Sequence, residues 1–290
     1  MDGIINIYKE KGFTSHDVVA KARGILRQKK IGHTGTLDPD ATGVLPICIG
    51  EATKIVPYLS DANKTYEAEV ILGAYTTTED ASGEVVEEFA VEVSNEQVLD
   101  VLARFVGAYE QTPPMYSAIK INGQRLYELA RQNIVIDRPS RMVEILELEQ
   151  MSPLKDGRFK IRVVCSKGTY VRTLCTDIGR KLKCGAHMGE LTRTRVGEFD
   201  IEQSVTLKQL EKLNAEEILI SIEKMFEQYP AVVVDKSYNK FLYNGNPLEL
   251  KIAAAGLFFR VYDYMNHFIG LYKWSGEKLI VEKMFYKEGK

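Results

Sequence analysis

The chain lacks any apolar run approaching the length of a membrane span, and its first residues, MDGIINIYKEKG, carry no signal-peptide pattern. A membrane segment and a secretory leader are therefore not expected. Cysteine is scarce: Cys48, Cys165, Cys175 and Cys184 show no C-x-x-C spacing, which argues against both a zinc site and a disulfide framework. Reduced thiols in a cytoplasmic protein is the simple reading. Internal repeats and low-complexity segments are missing too. What remains is 290 residues with 45% apolar and 27% charged side chains, an ordinary globular composition. That length suits one large domain, or a large domain plus a small one.

Net charge is also small, at −2, but it is unevenly spread. From Lys155 to Arg195 there are eleven Lys/Arg against three Asp/Glu, giving +8; from Lys9 to Lys30 there are seven against two, giving +5. From Tyr66 to Ala103 there are ten acidic residues and no basic ones, giving −10. Such segregation suits a polyanion held on one side, because phosphate contacts release counterions and an acidic face elsewhere limits non-specific binding. Solvated helix faces would give the same tally. Charge permits RNA without requiring it.

A strand at Ile4–Tyr8 is followed by Thr14-x-x-Asp17, a capping box opening a helix with Val18, Ala22 and Ile25 on one face. Gly32 to Gly50 reads as a glycine-rich loop. In YEAEVILG, Tyr66, Ala68, Val70 and Leu72 alternate with polar residues and predict a strand with Tyr66 at its entry. Ser94-x-x-Gln97 opens a helix with Val98, Leu102 and Phe105 inward. Asn122-Gly123 marks a turn between SAIKI and the helix QRLYELAR. Strands follow around Val143–Glu149 and Arg158–Cys165, joined at Lys155-Asp156-Gly157, then a helical stretch within Thr169–Leu182. After Tyr229-Pro230 the runs VVVD, LFFRVYDY, FIGLYKW and KLIVEKMFY predict a small β-rich module. Its net charge is +3, against −5 for the rest. The expected architecture is α+β: a large domain over 1–229 and a small barrel-like domain over 230–290.

The richest stretch is GHTGTLDPDATGVLPICIG, Gly32–Gly50. Its glycines allow tight turns and close approach, and Pro39 pushes Asp38 towards an extended conformation that presents the carboxylate. It is neither a P-loop, lacking G-K-[ST], nor a dinucleotide fingerprint, lacking G-x-G-x-x-G. Taken alone, Asp-Pro among glycines is as well explained by a turn.

The segment resembles the TruB-type pseudouridine synthase signature, G-H-x-G-x-L-D-P-x-A-x-G-x-L-P, at every fixed position. KTYEA, TPPMYSAIKINGQRLYELAR, CSKGTYVRTL and GAHMGELTRTR resemble further family blocks in the same order. The resemblance implies isomerisation of uridine-55 in the tRNA T-loop, with Asp38 as the catalytic carboxylate. Arg172 matches the arginine that pairs with that carboxylate, and its planar guanidinium would orient it. Tyr66 matches the tyrosine that stacks on the flipped base, where an aromatic face offers about 1–3 kcal/mol. Tyr170 and Leu191 match further pocket residues, and His33 a histidine that contacts RNA. Tyr116 and Lys120 match a segment that supports the site, and Asp80 an aspartate that contacts RNA or braces its loop; Thr77 departs from the acidic residue common nearby.

Each residue also has a plainer reading: Tyr66 and Leu191 as core, Arg172 as a surface cation, His33 as a turn residue. Tyr170 and Arg172 can serve one pocket only if the chain is extended there, because residues two apart on a helix face nearly opposite ways. The helix should therefore begin at or just after Val171. The resemblance further implies an α+β catalytic domain with a mixed, mainly antiparallel sheet flanked by helices, a C-terminal PUA-like RNA-binding domain, and tRNA as partner. No metal or organic cofactor is expected, since the isomerisation needs no redox step and no ligand cluster is visible, and no guide RNA or protein partner is expected. A non-catalytic tRNA-binding protein and a guide-RNA-dependent synthase are the alternatives.

Overall fold

The alternation in YEAEVILG does build a strand, Lys64–Leu72, with Tyr66, Ala68, Val70 and Leu72 on the face that meets the main core. The computed structural model describes residues 1–121, 123–132, 134–250 and 257–286. Its central sheet has nine strands, seven of them in one continuous path. In chain order these are β1 (Gly3–Lys9), β2 (Thr42–Ile49), β3 (Lys64–Leu72), β4 (Gly107–Gln111), β5 (Arg141–Gln150), β6 (Arg158–Cys165) and β7 (Ala186–Val196). Across the sheet they lie in the order β1-β2-β7-β3-β6-β5-β4. All neighbours in this path are antiparallel except β2 and β7, which run parallel where Thr192 meets Thr42 and Arg193 meets Gly43. The sheet is thus mixed and mainly antiparallel, as the resemblance implies.

The helices α1 (Ser15–Ile25), α2 (Asn95–Ala103) and α3 (Val171–Leu182) flank the sheet. Capping boxes form at Thr14 with Asp17 and at Ser94 with Gln97, each satisfying amide groups a helix start leaves orphaned. One face of β3 and β6 packs Val70, Phe159, Ile161 and Val163 against Val98 and Leu102 of α2 and Leu174, Cys175 and Ile178 of α3. α3 begins at Val171, with Tyr170 extended before it (φ −98°, ψ 112°). The turn at Lys155–Gly157 has positive φ at Asp156 and Gly157, joining β5 to β6. Of the Asn122-Gly123 turn, Asn122 lies outside the described residues, while the flanking Lys120–Ile121 and Gln124–Arg125 pair as a short ladder.

The glycine-rich stretch differs from the loop expected of it. Only residues 34–41 are loop; Ile31–His33 is a strand, and Thr42–Ile49 is the inner strand β2. One edge of β2 is paired along its length with β1; the other meets β7 at residues 42–43 and Ile31–His33 at 47–49. Pro46 falls in the gap between those two partners, where its missing N–H interrupts no ladder bond.

After residue 230, Ala231–Val233 pairs parallel with Phe258–Tyr262, and Phe268–Trp274 and Leu279–Met284 extend the sheet antiparallel. Val234, Leu242, Phe259, Val261, Ile269 and Leu279 form its own core. A second cluster joins this sheet to the first: Leu271 and Phe285 are buried together with Ile4, Val44, Cys48, Ile55 and Phe226. Lys54 Nζ donates to the Met284 carbonyl at 2.7 Å across the same junction. Among the described residues no helix is long and apolar enough to cross a membrane. The four cysteines are buried free thiols.

Candidate active site

Residues 34–41 form a loop whose main chain is held from several sides. Pro39 O accepts from Gly12 N (2.9 Å) and from the ammonium of Lys9 (3.0 Å). Lys9 is fully buried and also donates to the carbonyls of Phe13 (2.6 Å) and Glu10 (3.3 Å). Burial pushes its ammonium down to about 8, with Asp38 and Asp40 pulling the other way. Leu37 is buried and its N–H donates to Ser15 Oγ at the start of α1 (2.9 Å). Arg193, on β7, is also buried: Nε donates to Val44 O (2.8 Å) and Nη2 to Gly35 O (3.1 Å). Gly43 makes this close approach possible, since a Cβ there would stand 2.1 Å from Arg193 O. With its backbone so fixed, the loop turns the Asp38 carboxylate, 44% exposed, towards a cavity.

Arg172 meets Asp38 from the first turn of α3. Its Nε lies 3.0 Å from Asp38 Oδ2, Nη1 donates to Thr78 O (3.0 Å), and Nη2 donates to Tyr116 O (2.8 Å). The side chain is 5% exposed, so one guanidinium ties together three segments far apart in sequence. Asp80 Oδ2 stands 3.9 Å from the same Nε. The other Asp80 oxygen accepts from Thr78 Oγ1 (2.7 Å) and from Ser82 N and Oγ (3.0 and 2.6 Å), bracing residues 78–82.

The cavity has a volume of about 1480 Å³. Tyr66, Tyr116, Tyr170 and Leu191 line it with Asp38, Asp80 and Arg172, so most of the residues singled out from sequence converge on it. Burial raises the Tyr66 phenol above its ordinary value, with the Arg193 guanidinium beside it acting in opposition. Lys11, Lys64, Arg131, Arg141, Arg158 and Lys160 give the walls a positive character. Lys64 donates to Ala62 O at 2.6 Å, and burial pushes its ammonium down to about 8.

Two expected residues lie outside this wall. His33 packs edge-on against His16 (centroids 5.3 Å apart), and its Nδ1 accepts from Gly35 N at 3.3 Å. Burial, then the charges of His16 and Arg193, hold its imidazole below the usual histidine range. Lys120 is exposed on the short strand opposite Arg125. Sequence reasoning passed over Lys9 and Arg193. A buried cation is indistinguishable from a surface one in a single sequence, although Arg193 stands in the GELTRTR block already singled out. Among the described residues no three His, Cys, Asp or Glu side chains are grouped to hold a metal ion.

Comparison with known proteins agrees with this picture. The TruB family pseudouridylate synthase N-terminal domain matches residues 23–171, and the tRNA pseudouridylate synthase B C-terminal domain matches residues 172–226. The tRNA pseudouridine synthase B of Bacillus cytotoxicus is 47% identical over 284 residues, spanning 94% of this chain and 92% of the relative. That of Bacillus pumilus is 47% identical over 260 residues, 86% of this chain and 84% of the relative. Among solved structures, the chain resembles one in a Cbf5-Nop10-Gar1 complex, with TM-score 0.74 and 28% identity over 98% of this chain and 85% of that one. It also resembles one in an archaeal box H/ACA sRNP Nop10-Cbf5 complex, with TM-score 0.70 and 26% identity over 99% and 87%. From its motifs, its fold and these relatives, the chain belongs to the TruB family of pseudouridine synthases.

Proposed function

We propose that the chain converts uridine-55 in the T-loop of tRNA to pseudouridine, with Asp38 as the catalytic carboxylate acting on a flipped-out uridine. The observation that carries this reading is the pairing of a half-exposed Asp38 with a buried Arg172 at the wall of a cavity large enough for an extruded nucleotide. The reaction breaks the bond from ribose C1′ to uracil N1, turns the base, joins C1′ to C5, and removes the C5 proton. A fixed carboxylate can assist by attacking sugar or base, or by taking a proton.

Tyr66 and Tyr170 offer flat faces to the base and Leu191 an apolar wall, while the cationic rim suits phosphates. His33 and Lys120, which lie outside the wall, act in this reading on RNA beyond the flipped base. Residues 230–290 serve as a PUA-like domain that adds RNA contacts. The enzyme works on a T-arm stem-loop in the cytoplasm without guide RNA, protein partner, metal or organic cofactor.

The test is to incubate the protein with unmodified tRNA and map pseudouridine at nucleotide resolution. Product at position 55, and its loss in Asp38→Asn with RNA affinity retained, is the expected result. Conversion only when a guide RNA is added would favour the guided reaction instead. Asp38→Asn turnover within about tenfold of wild type would remove Asp38 from its role, since loss of an essential nucleophile or base lowers rates far more.

A further inference from the structure

Gln111, the last residue of β4, is fully buried and lies outside the cavity wall. Its side-chain amide makes two hydrogen bonds to the backbone of a single residue. Tyr170 N donates to Gln111 Oε1 at 2.8 Å, and Gln111 Nε2 donates to Tyr170 O at 3.0 Å. A neighbouring strand's peptide would offer the same pairing; here a side chain supplies it. Tyr170 has need of it. As the residue before α3 it is extended, and its own side chain makes no capping bond to the helix. Its N–H would otherwise be an orphan at the helix start. The Tyr170 carbonyl also accepts from Leu174 N (3.1 Å), closing the first turn of α3.

We propose that Gln111 is a positioning residue that fixes where α3 begins, and thereby sets Tyr170 and Arg172 against Asp38. Successive helical residues are rotated by about 100° and advanced by about 1.5 Å, so a start displaced by one residue would swing the Tyr170 ring out of the wall. Neighbouring contacts act in the same sense. Arg141, the cross-strand partner of Gln111, lays its guanidinium over the Tyr170 ring, 5.0 Å from the centroid, and donates to Gly168 O. Tyr109, two residues before Gln111 on the same face of β4, donates its hydroxyl to Asp177 further along α3. β4 thus holds α3 at its start and near its middle.

The proposal rests on Asp38, Tyr170 and Arg172 being the site, and the experiment separates the two. Gln111→Met keeps the length of the side chain and removes both bonds. Its single-turnover rate on saturating tRNA transcript should fall roughly 10–100-fold per folded molecule, with RNA affinity unchanged, as for a small misplacement of reacting groups. Gln111→Glu gives a readout that a purely structural role would not move. As a neutral acid it can donate to Tyr170 O and accept from Tyr170 N, restoring the clasp; as a carboxylate it repels that carbonyl. Burial favours the neutral acid, and so do the negative charges of Asp177 and Glu79, which both act on the Tyr109 phenol beside Gln111. The Arg141 guanidinium on the paired strand opposes it, as, more distantly, does Arg180 through its pairing with Asp177.

The rate of Gln111→Glu relative to wild type should therefore rise as pH falls. A ratio independent of pH overturns the proposal. So does a Gln111→Met protein that melts earlier but turns over at the wild-type rate when folded. If Gln111→Met fails to fold, the pH profile of Gln111→Glu decides. Asp38→Asn is run alongside: if it stays active, the reading of the site fails instead; if it is dead while the Gln111 variants are normal, only this proposal fails.

Discussion

Arg172→Met tests the electrostatic core of the site. The substitution keeps much of the stem but removes the contact to Asp38 and the donors to Thr78 O and Tyr116 O. Hydrogen bonds from a charged donor are worth about 1.5–3 kcal/mol each, so the two carbonyl bonds alone set a scale of about 3–6 kcal/mol. Relaxation and water reaching the carbonyls reduce that, and the Asp38 contact adds little to stability because the carboxylate is 44% exposed. A net destabilisation of about 3 kcal/mol is expected, in line with breaking a buried charged contact.

The effect on rate should be larger than stability alone implies. Loss of one preorganised donor typically lowers turnover by about 10²–10³-fold, and here the same change frees the 78–82 segment and the backbone at Tyr116. Arg172→Lys restores the charge, but one ammonium cannot present the planar fork that serves Asp38 and both carbonyls. It should recover no more than about tenfold of the loss. The assay is single-turnover conversion of tRNA transcript at saturating enzyme, with the folded fraction taken from urea unfolding. Full recovery in Arg172→Lys would show that a point charge suffices, and a Met variant within about tenfold of wild type would refute the reasoning altogether.

The buried Lys9 gives a prediction about pH. Its ammonium is pushed down to about 8 in the folded chain, against about 10.4 unfolded, so between those values the unfolded state holds more protons and stability rises with pH. Lys9→Met should flatten that rise by up to about 2 kcal/mol over roughly pH 7.5 to 9.5, measured as urea stability. Lys64 contributes to both proteins, so parallel slopes in the two would count against Lys9. Removing residues 230–290 should lower the melting temperature as well as RNA affinity, because Leu271 and Phe285 complete a core shared with Ile4, Val44 and Phe226. Each such side chain contributes about 1.5–3 kcal/mol, and a truncated chain that melts like the whole would show the junction to be dispensable. Gly43→Ala combines a φ of +107° with a Cβ 2.1 Å from Arg193 O. It should unfold the protein at lower temperature and displace residues 34–41; wild-type melting and turnover would contradict that placement.

How much of this was legible in sequence depended on where the stabilising partners lie. Capping boxes at Thr14 and Ser94 are local, and both form. The half-buried β3 shows its alternation, and the tail's four apolar runs each hold a strand. The start of α3 at Val171 was also accessible, because two side chains sharing a cavity require an extended residue between strand and helix. β2 was hidden: Val44–Ile49 are all buried, so no polar alternation marks the strand, and Pro46 argues against one. Its pairing edge is divided between β7 and Ile31–His33, neither of which can be read from β2 itself.

The same distinction explains why Asp38 looks like a turn residue in isolation. An Asp-Pro pair gains significance only from what fixes its backbone, and here two buried cations do so through carbonyls rather than carboxylates. Lys9 holds Pro39 O and Arg193 holds Gly35 O, bracketing the aspartate from a strand near the start of the chain and from β7. Arg193 reaches its two carbonyl partners from 149 and 158 residues away in sequence. Because their hydrogen bonds go to the main chain, these cations stiffen the loop without occupying the carboxylate. A third buried cation, Arg172, is the one among the described residues that lies within ion-pairing distance of Asp38, and its other donors go to Thr78 O and Tyr116 O. Asp38 is thereby oriented on one side and open on the other, the arrangement a carboxylate needs if it is to meet a substrate. A chain with net charge −2 can in this way gather positive charge around one aspartate, because charge counted along the sequence says nothing of which cations face the backbone and which face the cavity.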